Sequence, residues 1–324
     1  MRIGAYLSPR DDLARAVALA RLADDLGYDS VWVTHGLGRD SFVVLAAYAH
    51  ATRRIGLGNG VVPIYPRHPV AMAQEAATLA EVSGGRFRLG IGLSHRPSMV
   101  DALALDMGRP LDVMREYVAV VRAALTGRAR FEGAYYRVAW QAAFTPPSPP
   151  PPLLLAGLAV PMLELAGEVA DGVVLWLCAP DYIRTVAVPA LARGRAKAGK
   201  ALAGFEVAAA VPVAVTDDVP GLTAIFREEL VRYLLLPYYR TMLRASGFGE
   251  PLAAFDRDRA GRPPAEAVPP ALVAALGAVG DRAAVRACVD AYRAAGVTLP
   301  LARPIGVPEA AHARPTLEAV APAA

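Results

Sequence analysis

The 324-residue sequence holds only two cysteines, Cys178 and Cys288, too few for a disulfide framework or a zinc cage. That scarcity sets the expectation of a reduced, cytoplasmic setting. No apolar run approaches the roughly 18 residues that a bilayer-spanning helix requires, so no membrane partner is expected. The opening residues Met1–Leu7 lack a charged region followed by a long apolar stretch and a cleavage site, the pattern of a signal peptide. Charge is also sparse: 20% of residues are charged and the net charge is +4, spread along the chain. Without a concentrated basic patch, nucleic acid is excluded as a partner, and an anionic small molecule fits better. The familiar chemical motifs are missing as well. There is no GxxxxGK[ST] phosphate loop, no HExxH and no GxSxG. Gly56-Leu57-Gly58-Asn59-Gly60 lacks the GxGxxG spacing and lies within a strand pattern, so it does not read as a dinucleotide loop. With so few groups offering redox or acid–base chemistry, an enzyme built on this chain needs a bound cofactor.

What is present is a rhythm. Short β-rich runs alternate with longer helical patterns, and 55% of residues are hydrophobic, as buried parallel strands require. Strands are expected at Arg2–Leu7, Ser30–Val33, Ile55–Val62, Phe87–Gly92, Leu153–Ala156, Gly172–Leu177, Glu206–Val215 and Val297–Leu301. Helices are expected at Asp11–Leu26, Ser41–Ala51, Pro69–Val82, Leu111–Leu125, Met162–Ala170, Pro180–Ala198 and Asp281–Ala295, with a small hairpin over Phe131–Val138. Eight strands alternating with helices make a single α/β domain over residues 1–324, closed as a (β/α)₈ TIM barrel; a doubly wound open sheet is the runner-up. Two segments break the rhythm. Thr145–Pro152 carries six prolines in eight residues. It reads as a stiff loop into the fifth strand, with a polyproline ligand as the alternative. Residues from about Phe226 to Ala278 exceed one crossover and read as a helical insertion before the last βα unit, placed to shape the mouth of a site.

Functional residues of such barrels gather where the strands end. His35 follows the second strand; it is either a satisfied structural histidine or a proton-transfer group. The third strand runs through Asn59, Gly60 and Val61, the fourth through Gly92, Leu93 and Ser94, the fifth through Ala156, Gly157 and Leu158. The glycines there permit close approach of a large planar ligand, or simply tight turns. Ser94 precedes a helical turn and could hold a phosphate or act as an N-cap. His95 and Arg96 either bind an anion or face solvent. Trp176 walls a pocket or fills the core. Cys178 reads as a small core residue rather than a nucleophile. The basic stretch Arg193, Arg195, Lys197 and Lys200 reads as a solvated helix face.

At these strand ends the sequence resembles the luciferase-like monooxygenase superfamily, and within it the oxidoreductases that use the deazaflavin coenzyme F-420, including methylenetetrahydromethanopterin reductase-like proteins. The matching text is Gly27-Tyr28-Asp29-Ser30-Val31-Trp32 with His35, Ile55-Gly56-Leu57-Gly58 through Gly60-Val61, and Tyr65-Pro66-Arg67-His68-Pro69. It continues with Leu79–Phe87, Leu89-Gly90-Ile91-Gly92, Met162–Gly167 into Ala170-Asp171-Gly172, and Pro304-Ile305-Gly306. The resemblance implies a coenzyme ring at the C-terminal mouth, a non-proline cis peptide at Gly60-Val61 behind it, and His35 near the reacting carbon. It also implies that Gly92–Ser94 and Ala156–Leu158 line the ring, its side chain and its phosphate, and that the protein is a homodimer. Two positions depart from it. Thr34 stands where many relatives have aspartate. Tyr6 stands where the similar reductases have glutamate, which puts that reductase activity in doubt and a tyrosine hydroxyl at the mouth as a candidate catalytic group. Tyr65 and Trp176 become candidates for the substrate pocket. The expected function is hydride transfer between coenzyme F-420 and a small organic substrate. The alternatives are an FMN-dependent monooxygenase and a non-enzymatic flavin-binding barrel.

Overall fold

Eight short strands, nearly all of their residues buried, pair in parallel and return on themselves. The computed structural model describes residues 2–36, 38–307 and 310–322. We label the barrel strands β1 (Gly4–Tyr6), β2 (Ser30–Val33), β3 (Gly56–Asn59), β4 (Phe87–Gly92), β5 (Leu153–Ala156), β6 (Gly172–Trp176), β7 (Glu206–Val215) and β8 (Leu299–Pro304). Each pairs with the next, and β8 pairs with β1 at Leu301↔Gly4, which closes the barrel and rules out the open sheet. Alternating side chains go to two cores, as the strand period demands. One set packs against the surrounding helices; the other, with Trp32, Leu154, Val174, Ala208 and Leu301, fills the barrel. Trp32 needs room there. A Cβ on Gly58 would overlap its indole, which explains a glycine in the neighbouring register position.

The helices start and stop where local chemistry directs. Asp12 accepts from the Arg15 amide and Asp40 from the Phe42 and Val43 amides, capping α1 (Leu13–Asp25) and α2 (Ser41–Ala51). Pro69 opens α3 (Pro69–Val82). Gly27, at φ +78°, takes the left-handed position after α1. Then follow α4 (Pro110–Leu125), α5 (Val160–Val169) and α6 (Val188–Lys197). Between α4 and β5, Arg128–Glu132 and Arg137–Gln141 form the expected antiparallel hairpin. The proline-rich segment, with Ser148–Pro149 cis, delivers the chain into β5, where Leu89 donates to the Pro152 carbonyl.

Three differences from the sequence expectation shape the mouth of the barrel. Strand three does not run unbroken to Val62, for reasons given below. Strand eight extends to Pro304, past Arg303, because the barrel end supplies that charge with a partner. After β7, four helices follow: α7 (Val219–Leu234), α8 (Pro237–Ala245), α9 (Gly249–Asp258) and α10 (Pro270–Leu276). The first begins ahead of Phe226 because Asp218 caps it through the Gly221 amide. A short strand at Ala278–Gly280 pairs with β7 outside the barrel, then α11 (Arg282–Ala294) and α12 (Ala313–Val320) complete the chain. Among the described residues no helix is long and apolar enough to cross a membrane.

Candidate active site

The break in β3 is a bulge. The register runs Leu57↔Phe87 and Gly58↔Arg88, then resumes at Val62↔Ile91 and Pro63↔Gly92, so four residue steps on one side face three on the other. The extra residue falls at Asn59–Val61, and the Gly60–Val61 peptide is cis, at the position the resemblance implied. The neighbouring strand makes room for it. A Cβ on Gly90 would overlap the Asn59 carbonyl oxygen, and one on Gly92 would lie 2.8 Å from Val61 Cγ2 and 3.0 Å from Ala156 Cβ. From inside the barrel the buried Tyr6 hydroxyl donates to the Gly60 carbonyl. Burial pushes the Tyr6 phenol far above its ordinary value, so it is no base at neutral pH. Asn59 is fully buried; its Nδ2 donates to Ser41 Oγ at 2.8 Å, while its Oδ1 has no partner among the described residues.

His35 adjoins this bulge, its backbone amide donating to the Val61 carbonyl at 3.2 Å. Its ring is held by donors. The Ser41 amide lies 3.1 Å from Nδ1, and Arg67 Nη1 lies 3.2 Å from Nε2. A neutral imidazole offers one acceptor nitrogen to these two donors; an imidazolium offers none. Protonation is disfavoured accordingly. Burial first, then the Arg67 charge, lower the His35 pKa from its ordinary value, against an opposing pull from Asp40. Arg67 is fixed in turn by Asp40 at 2.6 Å and Glu75 at 3.0 Å.

The opposite wall is aromatic. Trp176, at the end of β6, stacks on Tyr6 with ring centroids 6.1 Å apart, and the Arg303 guanidinium lies 5.3 Å over the indole. Arg303 makes a two-pronged pair with Glu229 of α7, at 2.5 and 2.8 Å, and Glu229 also accepts from the Gly306 amide. Tyr233, on the same helix, meets Trp176 at 5.7 Å; Tyr239 of α8 meets Tyr233 at 5.0 Å, and His95 at 5.9 Å. The inserted helices therefore close over the aromatic end of the mouth.

The remaining candidates fall as follows. Leu93, Ser94, Ala156, Gly157 and Leu158 lie half-buried at the ends of β4 and β5. Ser94 takes a left-handed conformation at φ +61° and caps nothing; the turn that follows, Pro97–Asp101, begins after Arg96 without a side-chain cap. Tyr65 donates to the Met107 carbonyl at 3.0 Å, pinning the loop between β4 and α4. Cys178 is buried, its thiol pushed up to about 12, and is a core residue. Arg193 and Lys197 both pair with Glu164 on an exposed helix face. No group of residues able to hold a metal occurs among those described. Sequence reasoning missed Arg67, Glu229, Tyr233 and Arg303. Arg303 lies beyond the expected end of the eighth strand and so was passed over; Glu229 and Tyr233 had no signal, since helical periodicity does not say which barrel strand a helix will meet.

Comparison with known proteins places these features in context. The luciferase-like monooxygenase family profile matches residues 1–299. A 5,10-methylenetetrahydromethanopterin reductase of Methanolobus tindarius is 33% identical over 227 residues, 67% of each chain. A putative coenzyme F-420-dependent oxidoreductase of Mycobacterium tuberculosis is 29% identical over 309 residues, 87% of this chain and 88% of that one. Among solved structures, the coenzyme F-420-dependent tetrahydromethanopterin reductase of Methanopyrus kandleri aligns with a TM-score of 0.79 and 25% identity, covering 99% of this chain and 97% of that one. The oxygenating constituent of 3,6-diketocamphane monooxygenase of Pseudomonas putida, in complex with FMN, aligns at 0.68 and 19% identity over 94% and 91%. That last likeness is one of fold.

Proposed function

The chain belongs to the luciferase-like monooxygenase family, and from that premise we propose that it is an oxidoreductase transferring a hydride between coenzyme F-420 and a small organic substrate. The observation that carries the reading is the bulge at Asn59–Val61, backed by Gly90 and Gly92 and bordered by a neutral His35. The residues present fit a deazaflavin. Glycine at position 92 lets the Val61 and Ala156 side chains pack directly over the strand, and the buried Asn59 Oδ1 is an acceptor with no partner among the described residues. Asn59, Gly60 and Val61 would back the ring, with Gly92, Leu93, Ser94, Ala156, Gly157 and Leu158 along its edge and side chain. When bound, the coenzyme supplies or accepts the hydride.

The protein's part is to orient, to exclude water and to move a proton. His35 is the proton-transfer group. Hydride addition to a carbonyl or imine leaves a basic atom that takes a proton, and oxidation requires a base; with its pKa lowered, the neutral His35 is suited first to accepting the proton, and in the reverse direction returns it to the product. Tyr6 shapes the bulge by its bond to the Gly60 carbonyl rather than exchanging protons, because burial holds it as the phenol. Trp176, with Tyr233 and Tyr239 from the insertion, forms an apolar wall for the substrate. Tyr65 contributes from the side of the loop it pins. The FMN-dependent monooxygenase reading retains the support of the FMN-bound relative's barrel. An anaerobic single-turnover experiment separates them: mixing protein, oxidised F-420 and a panel of small alcohols is expected to bleach the coenzyme, and reduced F-420 with ketones or imines to restore its absorbance. Oxygen-dependent product formation with reduced FMN alone would refute the proposal.

Arg67 provides a pH test of the same site. Burial and Arg67 lower the His35 pKa, so the base form persists to lower pH than usual. Removing the guanidinium deletes a repulsion and leaves Asp40 Oδ2, 3.8 Å from Nδ1, to favour the proton. In the direction where His35 accepts a proton, Arg67→Met is expected to move the acid limb of kcat/KM to higher pH. A limb that stays in place would mean that Arg67 does not tune this histidine.

A further inference from the structure

A cavity lies outside the barrel, against the short strand Ala278–Gly280, between α7, α10, α11 and the start of the segment Pro180–Tyr182. Its volume is about 560 Å³, within the range of small-ligand sites. The walls are apolar, with Phe248, Val273, Ala284 and Cys288 among them. Besides Asp181 and Thr223, two polar groups without partners among the described residues interrupt this lining. Arg227 of α7 has no ion pair or hydrogen bond among the described residues, and its Nε is buried without a partner. Tyr292 of α11 is 1% exposed, and its hydroxyl also lacks a partner among the described residues. The one carboxylate in the lining, Asp181, is already paired with Arg184 at 2.9 Å, so it does not neutralise Arg227.

We propose that this cavity is a second binding site, for a small amphipathic anion: an apolar chain or ring ending in a carboxylate. The apolar walls take the body, and the guanidinium takes the carboxylate, which accepts from its buried N–H. The Tyr292 hydroxyl supplies a further donor. A neutral ligand of the same shape would leave the Arg227 charge uncompensated, which is why the head group is anionic. The site is separate from the barrel mouth but shares a helix with it. Arg227 and Glu229 are two positions apart on α7, about 200° around the helix, so one faces the cavity while the other reaches Arg303.

The test uses the full-length protein without coenzyme, so it stands whether or not F-420 is the cofactor. Octanoate is titrated by calorimetry, with octanol as the neutral comparison. Saturable octanoate binding is expected, with octanol at least tenfold weaker. Arg227→Gln should weaken octanoate at least tenfold. Ala284→Phe, which fills the cavity from the exposed face of α11, should abolish it while thermal unfolding and circular dichroism stay near wild type. Saturating F-420 should leave octanoate affinity unchanged. No saturable binding, equal affinity in Arg227→Gln, or displacement by F-420 would each overturn the proposal.

Discussion

His35→Ala is expected to lower kcat for F-420-linked hydride transfer by roughly 10²–10⁴-fold, the usual worth of a positioned acid or base. The size follows from the lack of a substitute. Tyr6 is the other titratable group beside the bulge, and burial keeps its proton on at any physiological pH. Arg67 has only donors to offer and is tied to Asp40 and Glu75. The binding surface should survive, because the Val61 carbonyl is bonded to the backbone of residue 35 and not to its ring. His35→Asn should therefore retain much of the coenzyme affinity while losing turnover. Steady-state kinetics paired with coenzyme titration of both variants separates the roles. Near-normal kcat in His35→Ala would remove the histidine from proton transfer, and lost binding with normal single-turnover chemistry would make it a wall.

Gly90→Ala should be the most disruptive single methyl in the barrel. Its Cβ would overlap the Asn59 carbonyl oxygen, a backbone atom that cannot rotate aside, so the bulge itself has to move. Overpacking costs roughly 1–3 kcal/mol, and a rigid neighbour puts this site at the upper end, about 3 kcal/mol of unfolding free energy. Coenzyme affinity should fall at least tenfold, since the displaced segment is the proposed ring support. Gly92→Ala provides the contrast. Its nearest neighbours are the Val61 and Ala156 side chains, at 2.8 and 3.0 Å, and side chains can shift, so the stability loss should be smaller. Denaturant unfolding of the two variants checks the order; Gly90→Ala within 0.5 kcal/mol of wild type would show that the bulge yields freely.

The strands bounded by turn chemistry were legible residue by residue: Ser30–Val33, Phe87–Gly92, Leu153–Ala156 and Glu206–Val215 stand where the pattern puts them. So do α2 and α3, which Asp40, Pro69 and the Gly84-Gly85 pair delimit. Closure was legible from the count of strand–helix units. The break in β3 was not, because a run of Ile, Leu, Val and glycine carries no periodic mark of one unmatched residue; its position came from family text. Strand eight was expected at Val297–Leu301 and runs instead over Leu299–Pro304, through Arg303. The partner that keeps it in the strand, Glu229, is 74 residues earlier in the chain. The same distance hid the aromatic wall, for Tyr233 and Tyr239 sit in helices whose orientation over the mouth is a tertiary fact. His35 was picked out by its place after the second strand and by the family text, whereas its electrostatic setting depends on Arg67, 32 residues further along the chain.

The central claim is the identity of the coenzyme, and a calorimetric titration of the apo-protein with F-420 and with FMN tests it most directly. The account predicts tighter binding of F-420, with an affinity that weakens as salt screens the attraction between a basic protein and the coenzyme's phosphate and carboxylates. Tighter binding of FMN, or protein that purifies yellow with bound flavin, would contradict it.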